Sequence, residues 1–564
     1  MFDVVGFGEG MVRMNAHPTV AIGRCGRKVA GTYFDDEMDL MAVDADVADG
    51  LRPAKKNPWY VLMTLYGEEG PYLGPDNREK NRKAWNAWAC QNLDEPTKAK
   101  ISEETGLDIK ELSGWTALES EIRDQFRKAF PARSGAEVGE KGLPNSNDEI
   151  VLNGTIFEAP IELNNYVFAC DIALANSVFE NRVEIRSSFF RCDAIFTNAK
   201  FQRDLNFNGS IIRGESQFES AKFDGHALFE SADFWKTVRF NSAEFTLKTW
   251  FQHAEFHTVA FFNNAIFTED TMFNGATFKR EAHFHNVKFH SDTLFSEAFF
   301  AGKTSFENAN IGGIGFFDHV KFLQNVTFAK AIFSGFINFQ ETQFGHVEAN
   351  TAWPPIFADC QFEKPTSFRN AIFVRNYPDL TGAVLHEKTS FSADDARWPS
   401  KCDQPAKHAK DSCAIIRHVM AKQGLPEDEH FFFRREMQLA GQIEDWHWFR
   451  KLPIWFFGWI SDYGNSIELP ARWLTVLIVA LSGFFAANLN SGENSIWWLD
   501  MLTGLGVSFS NTFRFFGFQK LFYGGYFTDE LPPWIEVLSG GQTIVGYTLL
   551  FFLGLGLRQR FRLR

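Results

Sequence analysis

Phenylalanine recurs through the middle of this chain at gaps of five and six residues in strict alternation, as in Phe196, Phe201, Phe207, Ile212, Phe218, Phe223 and Phe229. The unit is therefore eleven residues. Stepping by eleven from Phe157 to Phe344 gives 18 positions, of which 16 are Phe and two are Ile212 and Ile311. The interleaved register, Leu152 to Phe339, also has 18 positions, with 14 Phe and with Leu152, Leu163, Leu174 and Ile185 at its start. In the first register the residue two before the aromatic is usually Ala, as at Ala199, Ala221, Ala243, Ala254 and Ala331. Alternate residues of an extended segment face the same way, so the small and the large side chain both point inward. A spacing of about 5.5 is far from the 3.6 of a helix, and the intervening Gly, Asn, Ser and Asp keep each element short. Such a repeat predicts a stack of short strands in which a coil buries its aromatics only against the next coil.

The stretch AEFHTVAFFNNAIFTEDTMFNGATF (Ala254–Phe278) resembles the pentapeptide-repeat family, in a variant that alternates A-x-F with a second central Phe. The resemblance covers residues 150–391. It implies a mainly β fold, a right-handed quadrilateral β-helix with each central Phe stacked on the one below. Four faces of five, six, five and six residues make a 22-residue coil. The 36 central positions then make about nine coils, a rod of ~40 Å at the spacing of neighbouring strands. The register breaks after Phe344, where Gly345–Pro355 reads as an inserted loop. Phe357, Phe362, Phe368 and Phe373 restart it, and a one-residue slip precedes Leu380, Leu385 and Phe391, the last irregular coils.

The repeat accounts for most of an odd composition, 63 Phe in 564 residues. A hydrophobic content of 45% excludes a wholly disordered chain. A net charge of -14 argues against a nucleic-acid binder. Seven Cys form no disulfide framework or CxxC pattern. Residues 1–55 read as an irregular, flexible N-terminus, interrupted by charge where a signal peptide would be apolar. Gly6, Gly8 and Gly10 there lack the third glycine and the βαβ setting of a dinucleotide site. Residues 56–132 read as a small helical module and 133–149 as a linker. NPWYVLMTLYGE (Asn57–Glu68) and NRKAWNAWACQ (Asn81–Gln91) resemble the N-terminal region of membrane-associated bacterial pentapeptide-repeat proteins. After the rod, 405–450 reads as a helical hairpin, with Gly424 suited to a C-cap and Pro426 to a helix start.

Residues 451–564 read as a membrane module. Twenty residues between Arg472 and Glu493, and twenty-one between Glu536 and Arg558, carry no charge. Each is long enough for a bilayer core of ~30 Å, which places the spans at about 473–489 and 538–557. Arg450, Lys451 and Arg472 precede the first span, and Arg558, Arg560, Arg562 and Arg564 follow the second. The positive-inside rule then puts the N-terminus, the rod and the C-terminus in the cytoplasm. Trp455, Trp459, Trp473, Trp497, Trp498 and Trp534 stand where interfacial anchors would. Between the spans, residues 496–513 have the pattern of a re-entrant segment, with Thr503, Ser508, Ser510, Asn511 and Thr512 as candidate pore residues. Gln542, inside the second span, is expected to bond across helices. WISDYGNSIELPARWLTVLIVALSGFFA (Trp459–Ala486) and GQTIVGYTLLFFLGLGLRQRFRLR (Gly541–Arg564) resemble the membrane module of bacterial pentapeptide-repeat membrane proteins. That resemblance implies a bacterial inner membrane.

Catalytic chemistry is not visible. No Ser-His-Asp set, paired carboxylates, P-loop or zinc spacing stands out. His253, His257, His283, His285 and His290 lack acidic or Cys partners at ligand spacing, so they read as solvated wall positions. The sequence therefore predicts no enzyme, cofactor or metal. It predicts a membrane-anchored cytoplasmic scaffold with protein partners, self-association included. The alternative is an oligomeric two-span channel or permeability protein with cytoplasmic β-helices.

Overall fold

The computed structural model describes residues 50–70, 73–135, 142–346, 354–443, 446–488, 497–516 and 533–562. The glycines at 6, 8 and 10, most of the 345–355 insertion, the loop 517–532 and Arg564 lie outside them.

The central region is a β-solenoid with a 22-residue turn. Every strand pair in it is parallel, and the register steps by 22, as in Phe201↔Phe223, Phe223↔Phe245 and Phe245↔Phe267. Most strands are two residues long, and they assemble into four sheets of 11, 9, 11 and 10 strands. Each sheet carries one column of central side chains. The first register supplies two opposite faces and the interleaved register the other two. Within a column the rings lie nearly parallel, as in Phe157–Phe179 (4.6 Å, 3°), Phe179–Phe201 (4.6 Å, 2°) and Phe245–Phe267 (4.6 Å, 5°). Between columns they meet edge to face, as in Phe229–Phe240 (5.4 Å, 75°) and Phe240–Phe251 (5.3 Å, 76°). The backbone ladder fixes the stacking distance near the ~4.8 Å strand spacing. The edge-to-face contacts use the ring quadrupole that a face-to-face stack cannot.

The alternation of five and six has a backbone cause. Every five-residue gap contains one left-handed residue, at Asn165, Asn176, Ser187, Asn198, Gly209 and onward in steps of eleven to Glu341, then at Asp359 and Asn370. A single αL residue turns the chain in fewer residues than an all-right-handed corner. Asn, Ser and Gly accept that conformation at low cost. The small residue two before the aromatic follows that turn, and its N–H donates back to the preceding aromatic, as from Ala199 to the Phe196 carbonyl at 3.0 Å. In the first coils Ser takes this place, and Ser177 and Ser188 donate to the Leu152 and Leu163 carbonyls of the coil before, at 2.8 and 2.6 Å.

The solenoid is longer than nine coils, reaching eleven strands on two faces. Arg52–Pro53 adds a parallel strand to Thr155–Ile156 at one end. At the other, the register survives the insertion, with Phe333↔Phe362, Phe344↔Phe373 and Phe368↔Phe391. The described residues on either side of the insertion pair in register, so the column is uninterrupted.

A solenoid needs both ends closed. At the N-terminal end sit α1 (Pro58–Met63), α2 (Pro75–Ala89), α3 (Glu95–Thr105), α4 (Ile109–Leu112) and α5 (Trp115–Ser134). Trp85 is fully buried there, 5.7 Å from the Phe168 ring, and its indole N–H donates to the Val167 carbonyl at 2.9 Å. Asn86 accepts from the Val167 N–H and donates to the Asn165 carbonyl, replacing the backbone partners that a preceding coil would give. Residues 142–149 also fold onto this cap, where Pro144 accepts from the Trp88 indole at 3.2 Å. At the C-terminal end, Trp398 stacks on Phe373 at 4.7 Å. The hairpin of α6 (Ala406–Lys422) and α7 (Pro426–Ala440) then covers it through Ile416, Met420 and Phe432. Four helices follow: α8 (Trp448–Ser461), α9 (Glu468–Ala487), α10 (Trp497–Thr512) and α11 (Pro533–Arg562).

Candidate functional site

Two regions gather polar chemistry. The first is on the outer face of the solenoid, where side chains 22 residues apart stack into rows. The Arg213 guanidinium lies 3.5 Å over the Trp235 ring, and Trp235 stacks on His257 at 4.0 Å. His257 Nε2 is 2.7 Å from Asp233 Oδ1 and 3.5 Å from Glu255 Oε2. Among the described residues, Asp233, Glu255 and His257 form a group close enough to share a metal ion. Local spacing hides it, because Asp233 comes from the coil before. The reading that His257 has no acidic partner is thus corrected by the coil geometry. Lys279 fills the cation's place, however. Its ammonium donates to Glu255 at 2.7 Å and lies 3.3 Å from His257 Nδ1. The Trp235 indole donates to the other Asp233 oxygen at 2.6 Å. The group is a closed charge ladder. Apart from this group, His283 packs on the Phe261 ring and His285 against the Ser305 hydroxyl, and the two imidazoles meet edge to face at 5.6 Å. Burial, with His283 beside it, lowers the pKa of His285.

The second region lies between the last helices. Ser508, Ser510, Asn511, Thr512 and Gln542 are all buried, and Thr503 nearly so. Gln542 Nε2 lies within hydrogen-bond reach of the Ser508 carbonyl (2.8 Å), the Ser508 hydroxyl (2.7 Å) and the Thr512 hydroxyl (3.1 Å). Its Oε1 accepts from Asn511 at 3.3 Å. Thr543 donates to the Asn511 carbonyl, and Ser508 to the Ile478 carbonyl of α9. Among the described residues, Thr503 and Ser510 bond within α10, to the Leu499 and Val507 carbonyls. Close approach makes this possible. A Cβ on Gly504 would fall 2.3 Å from the Ser482 carbonyl. Gly504 and Ser508 thus face Ser482 and Ala486, a pair of small-xxx-small surfaces. Because Ser508 lies by Gln542 and Thr512 by Gly546, α10 accompanies only the first half of α11, which runs 16 residues past Gly546.

Outside this seam the helices are apolar. Leu502, Val537, Ile544 and Phe551 are all more than half exposed. Glu468–Ala487 and Pro533–Phe561 are long and apolar enough to cross a membrane. Sequence reasoning missed α8, whose Trp448, Phe449, Leu452, Trp455, Phe456 and Trp459 form one exposed face. Their spacing of three and four was the signal.

The family model for pentapeptide repeats (9 copies) matches residues 240–288. The chain carries a pentapeptide-repeat solenoid. No curated protein and no solved structure matches it.

The pentapeptide-repeat solenoid is tied to the apolar helices at one junction. Arg434 of α7 donates to both oxygens of Asp395, at 3.0 and 2.8 Å, at the end of the solenoid. Its other nitrogen reaches Asp462 at 3.2 Å, in the turn between α8 and α9. Arg435 adds a 2.6 Å bond to Asp395. That turn holds three successive left-handed residues, Asp462 (φ 46°), Tyr463 (φ 56°) and Gly464 (φ 84°). Non-glycine residues rarely adopt this conformation, so the turn depends on its ties. Burial raises the Asp395 pKa, but Arg434 and Arg435 pull it further down, and the carboxyl sits below its ordinary value.

Proposed function

We propose that the protein is a membrane-anchored scaffold whose pentapeptide-repeat solenoid and N-terminal cap stand on the cytoplasmic side of a bacterial inner membrane. The observation that carries this is the inverted composition of the C-terminal helices, with hydroxyls and amides inside and Val, Ile, Leu and Phe outside. Water favours the opposite arrangement, and a hydrocarbon solvent favours this one. In this reading α9 and α11 span, α10 enters from the far side and stops half-way, and α8 lies in the interface. Arg472 and Arg558 stand at the solenoid end of the two spans, beside Arg450 and Lys451 on α8, which supports a cytoplasmic solenoid. The aromatic face of α8 continues that of α9, with Trp459 4.3 Å from Trp473. The rod is a rigid wall of stacked rows without a converging catalytic set, which suits the binding of proteins.

The channel alternative has less support. Thr503, Ser508, Ser510, Asn511, Thr512 and Gln542 are used in bonds within one chain, which leaves few polar groups to line a path between copies. Two measurements test the proposal. Alkaline carbonate extraction should leave the full chain in the membrane pellet, and release into the supernatant would defeat the anchor. Cross-linking in native membranes should recover specific proteins on the solenoid, and recovery of self-contacts alone would defeat a scaffold for other proteins. Conductance in reconstituted bilayers would return the channel reading to first place.

A further inference from the structure

The four outer faces of the solenoid are unlike each other. On the sheet containing Leu205–Asn206, Ala227–Leu228, Thr249–Trp250, Thr271–Met272, Thr293–Leu294, Gly315–Phe316 and Ile337–Asn338, the second residue of each strand points out. Those residues step by 22 and read Leu228, Trp250, Met272, Leu294 and Phe316 in unbroken succession. The row is closed by Asn206 at one end and Asn338 at the other. The corresponding row on each of the other faces mixes in charges, such as Lys222, Glu244 and Lys288 on one, Arg239 on another, and Asp233 and Glu255 on the third. None of the five apolar residues belongs to the buried core. They form a straight stripe of ~19 Å at the spacing of parallel strands. A polar coil face costs nothing in the stacking of coils, so the fold itself does not require these residues. Exposed Ile314 and Phe336 extend the patch at its far end.

We infer that this stripe is a self-association surface, on which a second copy of the chain lies side by side with the first and points the same way. The direction rests on the membrane reading, since two chains anchored at the same end must stand in parallel. The flanking rows fit that arrangement. One flank reads His226, Lys248, Asp270, Asp292, and the other reads Glu230, Gln252, Asn274, Ser296. A two-fold axis along the rod brings the first flank of one copy against the second flank of the other. His226 then meets Glu230, Lys248 meets Gln252, Asp270 meets Asn274 and Asp292 meets Ser296. At the level of Phe316, Ile314 meets Asp318; no like charges face each other at any of the five levels, and the apolar row meets itself residue for residue. Isologous contacts of this kind close at two copies. The stripe is narrow for an interface between free proteins. Anchoring in one membrane raises the effective concentration of the second rod and offsets that.

Single cysteines decide it. In the full chain in native membranes, Trp250→Cys and Leu294→Cys should each cross-link to themselves with a short bismaleimide, above the background of the parent chain. Lys222→Cys, on another face, should not. Cross-linking only in a mixture of Trp250→Cys with Leu294→Cys chains would mean rods in opposite directions and would overturn the parallel arrangement. Absence of any stripe cross-link would overturn the inference. As a second readout, Trp250→Asp with Leu294→Asp should weaken self-association in detergent by about tenfold or more. An unchanged oligomer distribution would count against the stripe. Because both side chains point outward, the thermal transition should be preserved, which separates lost association from lost folding. A chain that stays in the carbonate pellet without stripe cross-links keeps the anchor and loses this inference. A chain released by carbonate that still cross-links does the reverse.

Discussion

The solenoid and the C-terminal helices are built from opposite rules in one chain. In the solenoid the rings of Phe207, Phe229, Phe251 and Phe273 are sealed inside, and outside the one apolar stripe the wall is largely polar, with Lys222, Glu244, Asn310 and Ser305 among its outward residues. In the last helices Ser508, Asn511, Thr512 and Gln542 are sealed inside, and the surface is Val, Ile and Phe. A solvent contributes the reason. Water drives the aromatics into a column, whereas in the membrane reading proposed above hydrocarbon gives them no such drive and leaves hydrogen bonds and close packing as the adhesive. The contrast also explains the junction. Arg434 joins the two halves through two carboxylates where neither rule applies.

The largest effect is expected at the centre of the column. Phe251→Ala removes a ring stacked on Phe229 and Phe273 at 4.9 Å and should cost about 3–5 kcal/mol in chemical unfolding. Phe551→Ala, on the exposed side of α11, should cost little in the same assay. Equal costs would mean that the two regions do not differ as described.

Gln542→Leu roughly keeps the volume and deletes the bonds that Gln542 makes to Ser508, Asn511 and Thr512 of α10, leaving the Thr543–Asn511 bond in place. Each interhelical bond in a membrane is worth roughly 0.6 kcal/mol, so about 1–2 kcal/mol should be lost in detergent unfolding. The solenoid's own transition should not move.

Arg434→Ala should uncouple the two halves without unfolding either, read as faster proteolysis at residues 441–447. Acid should do the same. The folded Asp395 pKa lies below its ordinary value of 3.8, so the tie is fully present above that value and lost as pH falls through the lower, folded one. In Asp395→Asn the low-pH step should disappear. A step of the same size in that variant would assign the acid sensitivity elsewhere.

The smallest effect concerns the first coils. There Leu152, Leu163, Leu174 and Ile185 stand where later coils have Phe, and they line a cavity of about 30 Å³. Leu174→Phe should fill it and stabilise by about 0.7 kcal/mol, read as a raised midpoint in denaturant. A loss of stability would show that the N-terminal cap needs the smaller side chain.

The 22-residue turn, the four columns and the two apolar helices were legible in the sequence, because stacking one coil on the next demands the same residue type at a fixed step. Ala243 and Phe245 state their own burial through that repetition. The left-handed corner was also written there, as Asn, Ser or Gly every eleven residues, but His253, Glu297 and Lys330 occupy it too and blur the signal. The Asp233, Glu255 and His257 group was not legible from local spacing, since its members come from two coils. The nine coils counted between residues 152 and 344 become eleven strands on two faces because the coils after the insertion pair in register, and on one of those faces Arg52–Pro53 joins across about a hundred residues, a pairing that no local pattern announces.

What repeats could be read from the residues alone: the coil length, the central column, and which two segments are long and apolar enough to cross a membrane. Periodicity carries that information because every coil solves the same packing problem. The tertiary structure decided what does not repeat. It placed Trp85 and Trp398 on the two open ends, turned Gln542 toward Ser508 and Thr512, and set Arg434 between Asp395 and Asp462. It also aligned Leu228 through Phe316 into one stripe, because only folding into four faces brings residues 22 apart into a row.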